Sequence, residues 1–160
     1  MQTIFNAAEI FEMAIAIERK GRTFYLNASK SFDEPGIKSL LKGLAEMEKE
    51  HEEVFLSLKE KLIPDEGYVQ GYDPDNVAVS YVRAMTSGEV FDKNITFEGG
   101  ESIEEVLKKG IQAEKNSIIF YAGLKGLVPE DLGRANVDRI IREEMKHIVL
   151  LTEMLAALKG

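Results

Sequence analysis

Apolar residues recur every three or four positions along most of this chain, and in two places that rhythm runs through a glutamate and a histidine. Leu41, Leu44, Glu48, His51, Phe55, Leu58 and Leu62 follow in steps of 3 and 4, the spacing of a helix stripe that faces other helices. Val137, Ile140, Glu144, His147, Leu151, Met154 and Leu158 repeat the arrangement. The pattern predicts four long helices, over residues 6–31, 35–62, 102–125 and 129–160. Local signals place their starts. Asn6 precedes Glu9 and Ser102 precedes Glu105 as capping boxes, and Pro35 and Pro129 suit first-turn positions. At on the order of 25–30 residues each, the helices would be about 40 Å long.

The breaks at 32–36 and 126–128 are short, so the first and second helices, and the third and fourth, should be antiparallel neighbours. The segment 63–100 is too long for a tight turn and is punctuated by Gly, Pro and Asp. It can carry the chain from one end of a bundle to the other, and "NVAVSYVRAM" within it has the composition of a short helix. The expected fold is all-α: an antiparallel four-helix bundle of two helix hairpins joined by a long crossover, with 1–160 as one domain.

The chain also matches itself when shifted by 96 residues. Glu18 falls on Glu114, Phe24 on Phe120, Tyr25 on Tyr121, Leu44 on Ile140, Glu48 on Glu144 and His51 on His147. Each half therefore carries a Glu, then Phe-Tyr, then Glu-x-x-His, and the two histidines so placed are the only ones in the chain. A single histidine on an apolar seam is usually a hydrogen-bonded core residue. Two of them, each with its glutamate three positions earlier, point to metal ligation. Residues i and i+3 lie on one helix face about 5–6 Å apart, so a carboxylate and an imidazole can share an ion. Buried carboxylates without a counter-charge are severely penalised. Two divalent cations would balance the charge of Glu18, Glu48, Glu114 and Glu144. Oxygen-rich ligation with one imidazole per ion suits iron, or manganese, better than a tetrahedral zinc. Glu52, Glu53 and Glu143 are expected to be solvated, with a role as a spare carboxylate as the alternative for each.

Composition narrows the partners. With 28 acidic and 20 basic residues the net charge is −8, which argues against nucleic acid or an anionic membrane as a partner. The absence of cysteine excludes disulfides and thiol catalysis and fits a reducing, cytoplasmic compartment. No cationic start leads into an apolar run at the N-terminus, so no secretory leader is expected. Nor does any uncharged stretch approach the ~20 residues of a membrane span.

The six ligand candidates, with Glu-x-x-His in both halves, resemble the rubrerythrin and bacterioferritin branches of the ferritin-like superfamily, whose di-iron and di-manganese bundles use this ligand pattern. The resemblance implies that Glu48 and Glu144 bridge two iron ions, that Glu18 and His51 complete one, and that Glu114 and His147 complete the other. It further implies that Tyr25 and Tyr121, each seven residues after a ligand Glu, hydrogen-bond to site carboxylates; ordinary core packing is the alternative for both. Rubrerythrins typically carry a cysteine-ligated iron domain, and this chain has no cysteine, so electrons would come from an external donor. Where rubrerythrins place an extra carboxylate, three residues after the third-helix ligand, Ser117 stands.

Three functions follow as expectations. The first is a di-iron oxidoreductase acting on peroxide or dioxygen. The second is a ferroxidase or other iron-handling protein. The third is a non-catalytic helical interaction module. A homodimer is compatible with each.

Overall fold

The computed structural model describes residues 7–62, 75, 77–86 and 95–160. Five α-helices run through them: α1 (Ala7–Ser29), α2 (Pro35–Leu62), α3 (Val77–Thr86), α4 (Ile103–Lys125) and α5 (Arg134–Lys159). No strand occurs among the described residues. The four long helices form the antiparallel bundle, with α1 packed on α2 and α4 on α5. No helix among the described residues is long and apolar enough to cross a membrane.

The helix starts follow local chemistry where it can be read. Ser102 Oγ accepts from the Glu105 N–H at 3.2 Å while Glu105 Oε2 accepts from the Ser102 N–H at 2.8 Å, so two orphan donors at the head of α4 are satisfied reciprocally. Pro35 opens α2. The expected cap at Asn6 lies outside the described residues. α1 ends at Ser29, two residues short of the expected 31, in a turn closed by Ser31 N–H to Ala28 O at 3.0 Å.

The last helix begins later than expected. Pro129 leads into one 3₁₀ turn, Glu130–Leu132, and α5 starts only at Arg134. Between them Gly133 takes φ 122°, a conformation that side chains rarely adopt. A Cβ there would also collide with the Leu58 side chain of α2. The close approach of α2 thus leaves room only for glycine at the break. α3 lies on α4 through a similar accommodation: a Cβ at Gly123 would stand 2.5 Å from the Tyr81 ring, and the Tyr81 hydroxyl donates to Ile119 O at 2.8 Å.

The core is split along the bundle axis. One apolar cluster gathers Phe11, Ile15, Phe55, Leu58, Phe120 and Ile140. The other gathers Phe24, Leu41, Leu44, Leu107 and Leu151. Between them each long helix contributes its glutamate, or its glutamate and histidine, so a polar layer crosses the bundle midway between two apolar ends.

Candidate metal centre

Glu18 on α1, Glu48 and His51 on α2, Glu114 on α4, and Glu144 and His147 on α5 all point into that layer, and none is more than 3% exposed. Glu18, Glu48, His51 and Glu144 bring ligand atoms within 4.8 Å of one another, as do Glu48, Glu114, Glu144 and His147. Glu48 and Glu144 are common to both groups. The heptad-like stripe explains the convergence: with 3.6 residues per turn, i and i+3 share the face that the neighbouring Leu and Ile residues hold inward.

Both histidines aim the same nitrogen at the carboxylates. His51 Nδ1 lies 3.0 Å from Glu144 Oε1 and 3.5 Å from Glu18 Oε2. His147 Nδ1 lies 2.9 Å from Glu144 Oε2, 3.4 Å from Glu114 Oε1 and 3.6 Å from Glu48 Oε1. The rings stack with centroids 5.8 Å apart. Tyr25 and Tyr121 close the layer from its two ends and cross between the halves. Tyr25 on α1 donates to Glu114 Oε1 at 2.5 Å, and Tyr121 on α4 donates to Glu18 Oε1. Both phenols are buried core residues and hydrogen-bond donors at once.

The electrostatics show how costly the cluster is for protein atoms alone. Burial, and then the charges of Glu18, Glu144 and Glu114, push Glu48 well above the usual carboxylate range. Burial and Glu114 do the same to Glu144. Burial alone would lower His51, but hydrogen bonds and charge from Glu144 and Glu18 win and carry it to about 10. Glu114 is also penalised by burial, yet its contacts with Glu144, His147 and Tyr25 hold it below the usual range. Burial and the nearby carboxylates raise Tyr25 and Tyr121 well above 10.0, so both stay protonated at neutral pH. Despite these contacts, Glu18 Oε2, Glu48 Oε1, Glu144 Oε2 and His147 Nδ1 have no aligned hydrogen-bond partner among the described residues. Buried polar atoms are seldom left so. Four orphaned ligand atoms, all carboxylate oxygen or imidazole nitrogen, fit a pair of divalent cations.

The expectation that Glu143 is solvated is corrected. Its side chain is 26% exposed and its Oε2 lies 2.7 Å from His51 Nε2. Glu143 precedes Glu144, so helix geometry turns it off the inward stripe; the approach of α2 brings His51 to it. Glu52 is also drawn in, against Arg19 at 2.6 Å, while Glu53 is exposed. Ser117 caps nothing in the layer: its hydroxyl donates to Ala113 O at 3.0 Å within α4.

A cavity of about 260 Å³ opens between α1 and α4 and reaches the layer. Met13, Ile17 and Phe120 form its apolar wall, while Gly21, Tyr25 and Glu48 lie at its floor. Gly21 is required there. A Cβ at this position would stand 2.7 Å from Glu48 Oε2, so the mid-helix glycine leaves room for the carboxylate.

Comparison with known proteins agrees with this geometry. Residues 9–159 match the model of the rubrerythrin family. A crystal structure from Thermotoga maritima, described as that of a ferritin-like diiron-carboxylate protein, aligns over 98% of both chains with 29% identity and a TM-score of 0.69. No curated protein is significantly similar in sequence.

Proposed function

The chain belongs to the rubrerythrin family, and on that premise we propose that it is a non-haem di-iron carboxylate oxidoreductase that reduces peroxide or dioxygen. The observation that carries this reading is the solvent-excluded layer of four carboxylates and two imidazoles with four orphaned ligand atoms. Glu18 and His51 would hold one ion and Glu114 and His147 the other, with Glu48 and Glu144 common to both groups; manganese could take the same positions. Two ferrous ions bound together supply two electrons at one place. Peroxide reduction needs that number: one H₂O₂, two protons and two electrons give two waters. The chain has no cysteine, so its reducing equivalents come from a separate donor.

The protein's own residues serve this chemistry in three ways. Tyr25 and Tyr121 hold Glu114 and Glu18 by hydrogen bonds, fixing which carboxylate oxygen faces the centre. The apolar clusters on either side shield the ligands from bulk water along the bundle axis. The cavity beside Gly21 admits a small oxidant, since one water needs only about 10–15 Å³ of such volume.

Anaerobic loading with ferrous ion should give about two irons per chain. Addition of peroxide or oxygen should then produce the absorption of an oxidised di-iron centre. Glu48→Ala and His147→Ala should each abolish it. Failure to bind iron, or binding without oxidation, would refute the proposal.

A further inference from the structure

The two halves agree at every ligand and both tyrosines but differ at the outer nitrogen of each histidine. The 96-residue shift carries Met47 onto Glu143 (143 − 47 = 96). His51 Nε2 lies 2.7 Å from Glu143 Oε2, whereas His147 Nε2 lies 3.2 Å from Met47 Sδ. Equivalent positions in the repeat therefore place a carboxylate behind one imidazole and a thioether behind the other. Both atoms accept, so with a cation bound each Nε2 would carry the proton and each Nδ1 lone pair would face the ion. The acceptors are unequal. A thioether sulfur is a weak acceptor, while a carboxylate makes a charge-assisted hydrogen bond. A carboxylate behind a ligating histidine fixes its tautomer and ring orientation and makes it a stronger donor to metal; losing such a partner commonly lowers metal affinity 10–100-fold. Arg139 Nε stands 3.8 Å from Glu143 Oε1, on the side of Glu143 away from His51.

We infer that the two cation positions are unequal: the one formed with Glu18 and His51 fills first and holds its divalent ion, and the one formed with Glu114 and His147 is the exchangeable position. Glu143 is the positioning residue that makes the difference, and Met47 is the reason the second position lacks the same support. This rests on the two-cation reading above and adds an order of filling to it. One resident ion and one exchangeable ion would let the centre assemble stepwise.

Titration of the metal-free protein with Co(II) tests this without turnover. Calorimetry should resolve two steps at least 10-fold apart in affinity. Glu143→Gln keeps the shape but removes the charge; it should weaken the tight step by 10-fold or more and leave the weak step in place. Met47→Glu should tighten the weak step and draw the two together. With ¹³C-methyl methionine labelling, the Met47 resonance, beside His147, should show the larger of its paramagnetic displacements at the second equivalent. Circular dichroism melts establish that each variant is folded, and Met47→Glu decides the matter if Glu143→Gln is not. Two steps of equal affinity overturn the inference, as does a Met47 signal displaced mainly by the first equivalent. Absence of any cobalt binding overturns the two-cation reading itself and is distinguishable from either result.

Discussion

Stripping metal from this protein should reverse the usual way its stability responds to pH. In the metal-free state the polar layer is neutralised by protons. Glu48 and Glu144 are raised well above the ordinary 4.5, by burial first and by neighbouring carboxylates second. His51 is raised from 6.5 to about 10 by Glu144 and Glu18, against the opposing effect of its own burial. For all three groups the folded value lies above the unfolded one, so folding takes up protons. Their stabilisation is complete below the unfolded value and is lost as pH rises toward the folded one. Each group then contributes a slope of about 1.4 kcal/mol per pH unit inside its window. The two glutamates open their windows at 4.5 and together remove at most about 2.7 kcal/mol per unit. His51 adds its own slope between 6.5 and about 10. Glu114, lowered from 4.5, has the opposite sign, but its stabilisation is lost as pH falls through the acid range. A domain whose whole stability is about 5–15 kcal/mol should therefore weaken steeply from pH 5 to pH 8 when free of metal. Cations that bind the deprotonated ligands do the reverse, because proton competition falls as pH rises. Urea denaturation followed by circular dichroism, in EDTA and with Mn(II), checks both limbs. Metal-free stability that is flat or rising between pH 5 and pH 8 would refute the argument.

Three substitutions separate the packing arguments from the metal arguments. Gly21→Ala improves helix propensity by about 0.5–1 kcal/mol but crowds Glu48 Oε2 at 2.7 Å, so stability in EDTA should hold while the stabilisation by Mn(II) shrinks. Gly133→Ala meets both a φ of 122° and the Leu58 side chain; urea unfolding should show a loss of about 2–3 kcal/mol, with or without metal. Tyr25→Phe deletes the 2.5 Å donor to the Glu114 carboxylate and should cost about 1.5–3 kcal/mol in EDTA, whereas a loss under 0.5 kcal/mol would show that the phenol acts only as packing.

The long helices and the six converging side chains could be read from the sequence because two constraints acted together. A stripe with steps of 3 and 4 decides which face turns inward, and Glu48, His51, Glu144 and His147 occupy that face. The repeat at 96 residues then adds Glu18 and Glu114, which lie in helices with a less regular stripe. Glu143 escaped the same logic. As the neighbour of Glu144 it sits about 100° around the helix, on what the period marks as the outer side. Only the packing of α2 against α5 brings His51 Nε2 within 2.7 Å of it. The repeat did hold a clue, since the position that is Glu in one half is Met in the other. The delayed start of α5 was hidden for a related reason. Pro129 is a good local starting signal, but the chain first makes a 3₁₀ turn and then passes Gly133 at φ 122°, where it lies against Leu58, distant in sequence and adjacent in space.

The polar contacts within the layer also explain how two similar hairpins are held in register. Each hairpin closes locally through a short connection, and apolar packing alone would permit small sliding between the pairs. The Tyr25–Glu114 and Tyr121–Glu18 bonds, and the contacts of His51 with Glu143 and Glu144, all run from one hairpin to the other. Hydrogen bonds are far more sensitive to distance and angle than apolar contact, so sliding by a fraction of a turn would break several at once and leave buried charge without partners. The burial that strains Glu48 and Glu144 therefore has a structural consequence of its own: it penalises every register except the one in which the ligand atoms converge. Conformational specificity and ligand geometry come from the same side chains, and an apolar replacement of the layer would surrender both while relieving the strain.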